Sequence, residues 1–136
     1  MGGYGALRLA FRHPDTFGAA VSFSGAFNLE AVGDYLESLH ARGPQIWGPI
    51  TTMPKEKWDI VGLAKAALEE KAELPKLMLS CGTEDYTLEV NRKMKADLED
   101  LGIELNYEEH PGMHNWDYWE THIQRALAWL PLKRCY

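Results

Sequence analysis

The chain opens on Met1-Gly2-Gly3-Tyr4-Gly5-Ala6, a stretch that reads as the continuation of a G-x-S-x-G strand-to-helix turn whose serine falls one position before Met1. Residues beside such a serine must be small, because helix and strand approach closely there. Gly2 and Gly3 supply those positions. A glycine-rich opening also fits a plain flexible terminus, so the residues behind it decide. Tyr4, Leu7, Ala10 and Phe11 recur at helical spacing, with Ala6 and Leu9 on their flanks, which predicts a helix apolar almost all round and therefore buried. His13-Pro14-Asp15 ends it, since a proline disfavours helical backbone in the residue before it.

Beyond this helix the pattern alternates. Gly18-Ala19-Ala20-Val21-Ser22-Phe23-Ser24-Gly25 is a short apolar run closed by a turn, as expected of a strand covered on both faces. From Ala26 to about Asp59 periodicity breaks down, with Gly33, Gly43, Pro44, Gly48, Pro49 and Pro54 among the aromatic residues Phe27, Tyr35, Trp47 and Trp58. The aromatic content argues against disorder, and the stretch (about 26–59) reads as a small, partly helical cap. Ile60 to Lys71 reads as a helix and Lys76-Leu77-Met78-Leu79-Ser80-Cys81-Gly82 as a second buried strand. Leu88 to Leu101 places Val90, Met94, Leu98 and Leu101 on one stripe, with Gly102 as the stop. Ile103 to Glu108 alternates like a strand near a sheet edge, the loop His110-Pro111-Gly112-Met113-His114 follows, and the last helix carries Trp116, Trp119, Ile123, Leu127 and Leu130 at helical spacing. This order predicts an α/β chain with about three parallel strands, right-handed crossovers and flanking helices.

The 136 residues suit one domain, yet are short for a complete α/β enzyme. A net charge of −6, with no Lys/Arg cluster to offset it, excludes nucleic acid and anionic membrane as expected partners. The two cysteines, Cys81 and Cys135, form no disulfide framework, and neither a membrane span nor a signal peptide is evident. A cytoplasmic protein is the expectation.

Ligands of parallel sheets collect beyond the carboxyl ends of the strands. Asp85, in Gly82-Thr83-Glu84-Asp85-Tyr86, follows the second strand, and His114 lies in the loop after the third. An imidazole can take a proton from a serine hydroxyl and return it to the leaving group when a carboxylate fixes its tautomer. Asp85 and His114 stand in the order nucleophile, acid, histidine that such a hydrolytic arrangement requires. Alone, Asp85 reads as a helix-capping residue and His114 as an exposed loop histidine; together, at successive strand ends, they favour chemistry. His110 and His114 are four apart, but Pro111-Gly112 prevents the helix that would make them metal ligands, and no metal or cofactor is expected. His13 reads as a helix end, and His40 and His122 as surface residues. Ser22, Ser24 and Ser80 lack a G-x-S-x-G setting and read as strand or turn residues, while Trp116, Trp119 and Trp129 read as core.

These residues together resemble the esterase D and tributyrin esterase group of α/β-hydrolases. That group's turn continues S-M-G-G-Y-G-A, its acid follows C-G-T-E-D, and its histidine sits in G-x-H-x-W-x-x-W; the chain has Met1 to Ala6, Cys81 to Asp85, and Gly112-Met113-His114-Asn115-Trp116 with Trp119. The resemblance spans nearly the whole chain. It implies the C-terminal part of an α/β-hydrolase fold and a carboxylesterase acting on short acyl esters, of acetyl, feruloyl or S-formylglutathione type. It also implies Asp85 and His114 as triad members and Met1 as the residue whose N–H helps hold the oxyanion. The serine before Met1 is absent from these residues, so the chain alone is expected to be inactive. The strand Ala19 to Phe23 is expected to have a bare side, leading to a homo-oligomer or to pairing with the missing half. Two other readings stay open: a non-catalytic half-domain acting as a binding or assembly module, and a deacylase or acyltransferase on the same framework.

Overall fold

The structure is a computed structural model that describes residues 1–28 and 58–132. Most of the expected cap, with Tyr35, His40 and Trp47, lies outside the described residues, as does Cys135.

Helix α1 spans Gly2–Arg12 and buries Tyr4, Leu7, Ala10 and Phe11, the four residues whose spacing defined it. Leu9 is 46% exposed, so the helix is one-sided and not buried all round. Of the two glycines at its start, only Gly3 is sterically required. A Cβ there would lie 2.4 Å from Ser22 Oγ and 2.9 Å from the Gly25 Cα, whereas one on Gly2 would meet nothing within 4 Å.

The chain then forms β1 (Ala19–Phe23), α2 (Ile60–Glu69), β2 (Lys76–Gly82), α3 (Leu88–Asp100), β3 (Leu105–His110) and α4 (Trp116–Trp129). The sheet order is β1-β2-β3, all parallel, with Ala19 opposite Lys76 and Leu77 opposite Leu105. Helices α2 and α3 stand between successive parallel strands, in the alternation that the sequence predicts. β3 runs two residues further than its apolar pattern suggested, because His110 still pairs with Gly82. β2 is central and all but its first residue are buried. Successive side chains on a strand point to opposite faces. Leu77 and Leu79 accordingly join Leu7, Phe11, Leu63, Met94 and Leu98 in one core, whereas the Ser80 hydroxyl meets the Tyr118 hydroxyl of α4 at 2.8 Å. Helices therefore cover both faces.

Two helices depart from their patterns. In α3 the buried residues are Met94, Leu98 and the polar Asn91. In α4 they are Tyr118, His122 and Ala126, not the apolar stripe that defined the helix. Trp116 is 77% exposed, and Ile123 and Leu127 are also exposed. The stripe lies alongside β1, with Trp116, Trp119 and Ile123 lining a groove that also contains Val21 and Phe23. Among the described residues no strand pairs with the other edge of β1. A periodic stripe states only that one face is apolar; the neighbouring layer determines whether it is covered. Trp116 is thus a surface residue, while His122, expected on the surface, is buried. Its ring stacks on His110 at 4.4 Å and packs on Tyr118 at 4.2 Å. Burial pushes its pKa down, and the charges of His110 and Arg125 add to this. No helix among the described residues is long and apolar enough to cross a membrane.

The outer sheet edge is pinned by charge. Glu108 on β3 accepts from Arg125 Nε on α4 at 2.7 Å and meets His110 Nε2 at 3.1 Å. The Arg125 hydrogen bond is the largest influence on the Glu108 carboxyl, outweighs its burial, and brings it from 4.5 down to about 2. A carboxylate depressed by folding adds stability above its unfolded pKa and loses it as pH falls through the folded one. Folding stability is therefore expected to decline between pH 4.5 and about 2. Glu108→Gln should flatten that decline, as read by urea unfolding at stepped pH. A variant with an unchanged acid slope would show that the pair contributes nothing.

Candidate active site

Two loops converge beyond the carboxyl ends of β2 and β3. β2 ends at Gly82 and the chain turns through Thr83, Glu84 and Asp85. The loop after β3 lies against this turn and is bonded to it by backbone: Thr83 N–H donates to His110 O at 2.9 Å and Glu84 N–H to Gly112 O at 3.0 Å. Gly112 N–H in turn donates to the Glu84 carboxylate. Gly112 has φ +144°, and a Cβ there would press into the Tyr118 ring at 2.6 Å. Glycine is the residue that this backbone and this approach allow.

The two tied loops bring Asp85 and His114 together. His114 Nδ1 lies 3.0 Å from Asp85 Oδ2 and 3.1 Å from Oδ1. Asp85 is 5% exposed, and its Oδ1 also accepts from the Thr87 N–H and the Thr87 hydroxyl, each at 2.7 Å. The bond to the N–H two residues on is the turn that aspartate favours ahead of a helix. The capping role and the histidine contact therefore coexist in one carboxylate. Burial would push its pKa up, but hydrogen bonds from Ser24, Thr87 and His114 outweigh that and hold it below the usual carboxylate range. Asp85 is thus an anion at neutral pH, set against one nitrogen of His114.

A carboxylate facing Nδ1 places the proton of a neutral imidazole there, and leaves Nε2 as the acceptor. The ring is held on two sides, by Tyr86 at 4.6 Å and by the edge of Trp119 at 4.9 Å and 86°. It faces a groove of about 650 Å³ that Met1, Gly2 and Gly3 also line. Met1 caps α1 without a side-chain bond and its carbonyl accepts from Gly5 N–H at 2.9 Å. Of the three residues singled out in the sequence, Met1 and His114 line one groove, and Asp85 lies buried against His114. Ser22 and Ser80 are fully buried. Ser24, read as a plain turn residue, has its hydroxyl within this site. Thr87 was also missed, although an Asp-x-Thr spacing ahead of a helix is a legible sign of such a turn. Among the described residues no group of three or more His, Cys, Asp or Glu could hold a metal ion.

Three parallel strands with flanking helices, and a buried acid against a histidine beyond the strand ends, define a partial α/β-hydrolase fold. The family model described as "Putative esterase" matches residues 1–130, and the chain belongs to that family of esterases. It is 29% identical to an acetyl esterase of Caldicellulosiruptor saccharolyticus, over 96% of this chain and 51% of the relative. An S-formylglutathione hydrolase from Staphylococcus aureus superposes with a TM-score of 0.82 at 28% identity, over 95% of this chain and 50% of that one. The fluorophosphonate-binding serine hydrolase F of the same organism gives 0.84 at 28% identity, over 93% and 49%. A ferulic acid esterase at 22% identity and a TM-score of 0.66 shares the fold. The chain spans about half the length of each of these proteins.

Proposed function

We propose that this chain contributes the acid and the base of a serine carboxylesterase. The contact between His114 Nδ1 and the buried Asp85 carboxylate, in a groove bordered by the start of α1, is the observation that carries the reading. The nucleophile is a serine immediately before Met1, completing the G-x-S-x-G turn. Its oxygen attacks the ester carbonyl carbon while His114 Nε2 takes the hydroxyl proton. The resulting oxyanion is held by the Met1 N–H. Collapse breaks the bond to the alkoxy oxygen, and His114 returns the proton to the departing alcohol. Water then attacks the acyl-serine by the same proton route, releasing the carboxylic acid and the serine. Asp85 stays ionised throughout, which its hydrogen bonds favour. Short acyl groups, of the acetyl or formyl kind that the relatives' names carry, are the proposed substrates; a feruloyl ester is the larger alternative. A reducing compartment such as the cytoplasm suits the free, buried Cys81.

Residues 1–136 alone are expected to hydrolyse p-nitrophenyl acetate no faster than their His114→Ala variant, because no other serine stands in the required turn. Placing the chain behind a Gly-x-Ser segment and the strand that delivers it should restore His114-dependent turnover. Histidine-dependent hydrolysis by the shorter form would mean that another hydroxyl is the nucleophile.

A second reading is carried by the β1 edge, with which no strand pairs among the described residues, and the exposed stripe of Trp116, Ile123 and Leu127 beside it. A free strand edge next to an apolar face favours association. The occupant we infer is the half-domain that brings the serine, with a second copy of the chain as the substitute when that half is absent. In the non-catalytic form of this reading, assembly is the function. Sedimentation of residues 1–136 should show a species larger than the monomer, and a single monomeric boundary would remove the second copy from consideration.

A further inference from the structure

We propose that Ser24 is a positioning residue, joining Asp85 and Trp119 so that both are held against His114. Ser24 directly follows β1, is 2% exposed and sits at the wall of the His114 groove. Its φ is +49°, a left-handed conformation that strains any residue carrying a Cβ. A turn serving only to reverse the chain would be filled more favourably by glycine. The serine is nevertheless locked in place from three directions. Its N–H donates to Ser80 O at 2.9 Å, one step beyond the β1–β2 ladder. The next residue, Gly25, donates its N–H to Asn91 Oδ1 at 3.3 Å and accepts from Asn91 Nδ2 at 3.0 Å. Asn91, fully buried in α3, also donates to Thr87 O at 2.8 Å, so the turn is tied to the residue that caps Asp85.

The hydroxyl itself has two directed roles. Trp119 Nε1 lies 3.1 Å from Ser24 Oγ, and an indole N–H can only donate. Ser24 therefore accepts from Trp119 and has its own proton to give. The Asp85 carboxylate, which this hydroxyl helps to hold below the usual carboxylate range, is a much stronger acceptor than the Cys81 thiol. One arm of Ser24 fixes the acid behind His114 and the other fixes the indole whose edge packs on the imidazole. Losing the hydroxyl frees both at once.

This rests on reading Asp85 and His114 as a proton-handling pair, but its first test needs no nucleophile. Ser24→Gly, which relieves the left-handed strain, and Ser24→Ala are compared with the wild type in residues 1–136. The readouts are the Asp85 carboxyl carbon and the His114 ring nitrogens, followed by NMR across acid and neutral pH. In both variants the Asp85 midpoint is expected to rise and the His114 nitrogens to lose their preference for a proton on Nδ1, with Ser24→Gly at least as heat-stable as the wild type. In the form preceded by the serine segment, Ser24→Gly should lower kcat about tenfold, the scale of one hydrogen bond to a charged group, with KM within about twofold. Folded variants with unchanged Asp85 and His114 signals overturn the proposal and leave Ser24 a turn residue; so does loss of the fold in both. An esterase form that never turns over counts against the esterase reading alone, since the titration stands without it.

Discussion

His114→Ala, made in the form that carries the preceding serine, is expected to lower kcat/KM for p-nitrophenyl acetate by about ten-thousandfold. The reason lies in proton transfer. Without an imidazole, the serine must shed its proton to water and the alcohol must leave as an alkoxide, so both halves of the reaction lose their acid–base partner. Asp85→Asn should give a loss of similar order, because an amide opposite Nδ1 donates a proton where the carboxylate accepted one, and so stabilises the wrong tautomer. The pair sits at 3.0 Å with the acid almost fully enclosed, and the two variants should be far from additive. Steady-state rates of the two single variants and the double one provide the check. Losses below about tenfold, or a double variant as slow as the product of the singles, would remove Asp85 and His114 from a shared step.

Gly82→Ala is expected to have the largest effect on stability, a loss of about 3 kcal/mol or more. Gly82 is the last residue of β2, and a Cβ there would lie 2.1 Å from the Gly112 carbonyl oxygen and 2.6 Å from its carbon. Both obstacles are backbone, so no rotamer change can make room. Either β2 and the His114 loop separate, breaking the Glu84-to-Gly112 bond, or the strand pairing between Gly82 and His110 fails. Each outcome moves His114 away from Asp85. Gly2→Ala is the control: nothing lies within 4 Å of its added methyl, and the change should fall within about 0.5 kcal/mol. Urea unfolding of the two variants measures the difference, and a Gly82→Ala protein with a wild-type midpoint would show that the loops give way without cost.

The elements of this chain were largely visible in its residues. The stripe Tyr4, Leu7, Ala10 and Phe11 is the buried face of α1, and the apolar run Leu77 to Cys81 is the central strand. Such features are legible because periodicity is a property of consecutive residues. Polar residues were read less well. His122 and Ser24, which read as surface and turn positions, are both buried, because each side chain meets a partner that arrives from another element: the His110 ring for His122, Trp119 for Ser24. The converse error concerns α4, where an apolar stripe was read as core and Trp116 is open.

What the residues determined unaided was the succession of helices and parallel strands, and the placing of Asp85 and His114 after successive strands. Only the folded chain decided that these two side chains touch, through the close approach of Gly82 to Gly112, and that the tryptophan-bearing face of α4 lines the groove beside β1 rather than the core. The physical division is one of range. Spacing along a chain is set by local backbone geometry, whereas contact and burial are set by whichever distant segment packs alongside.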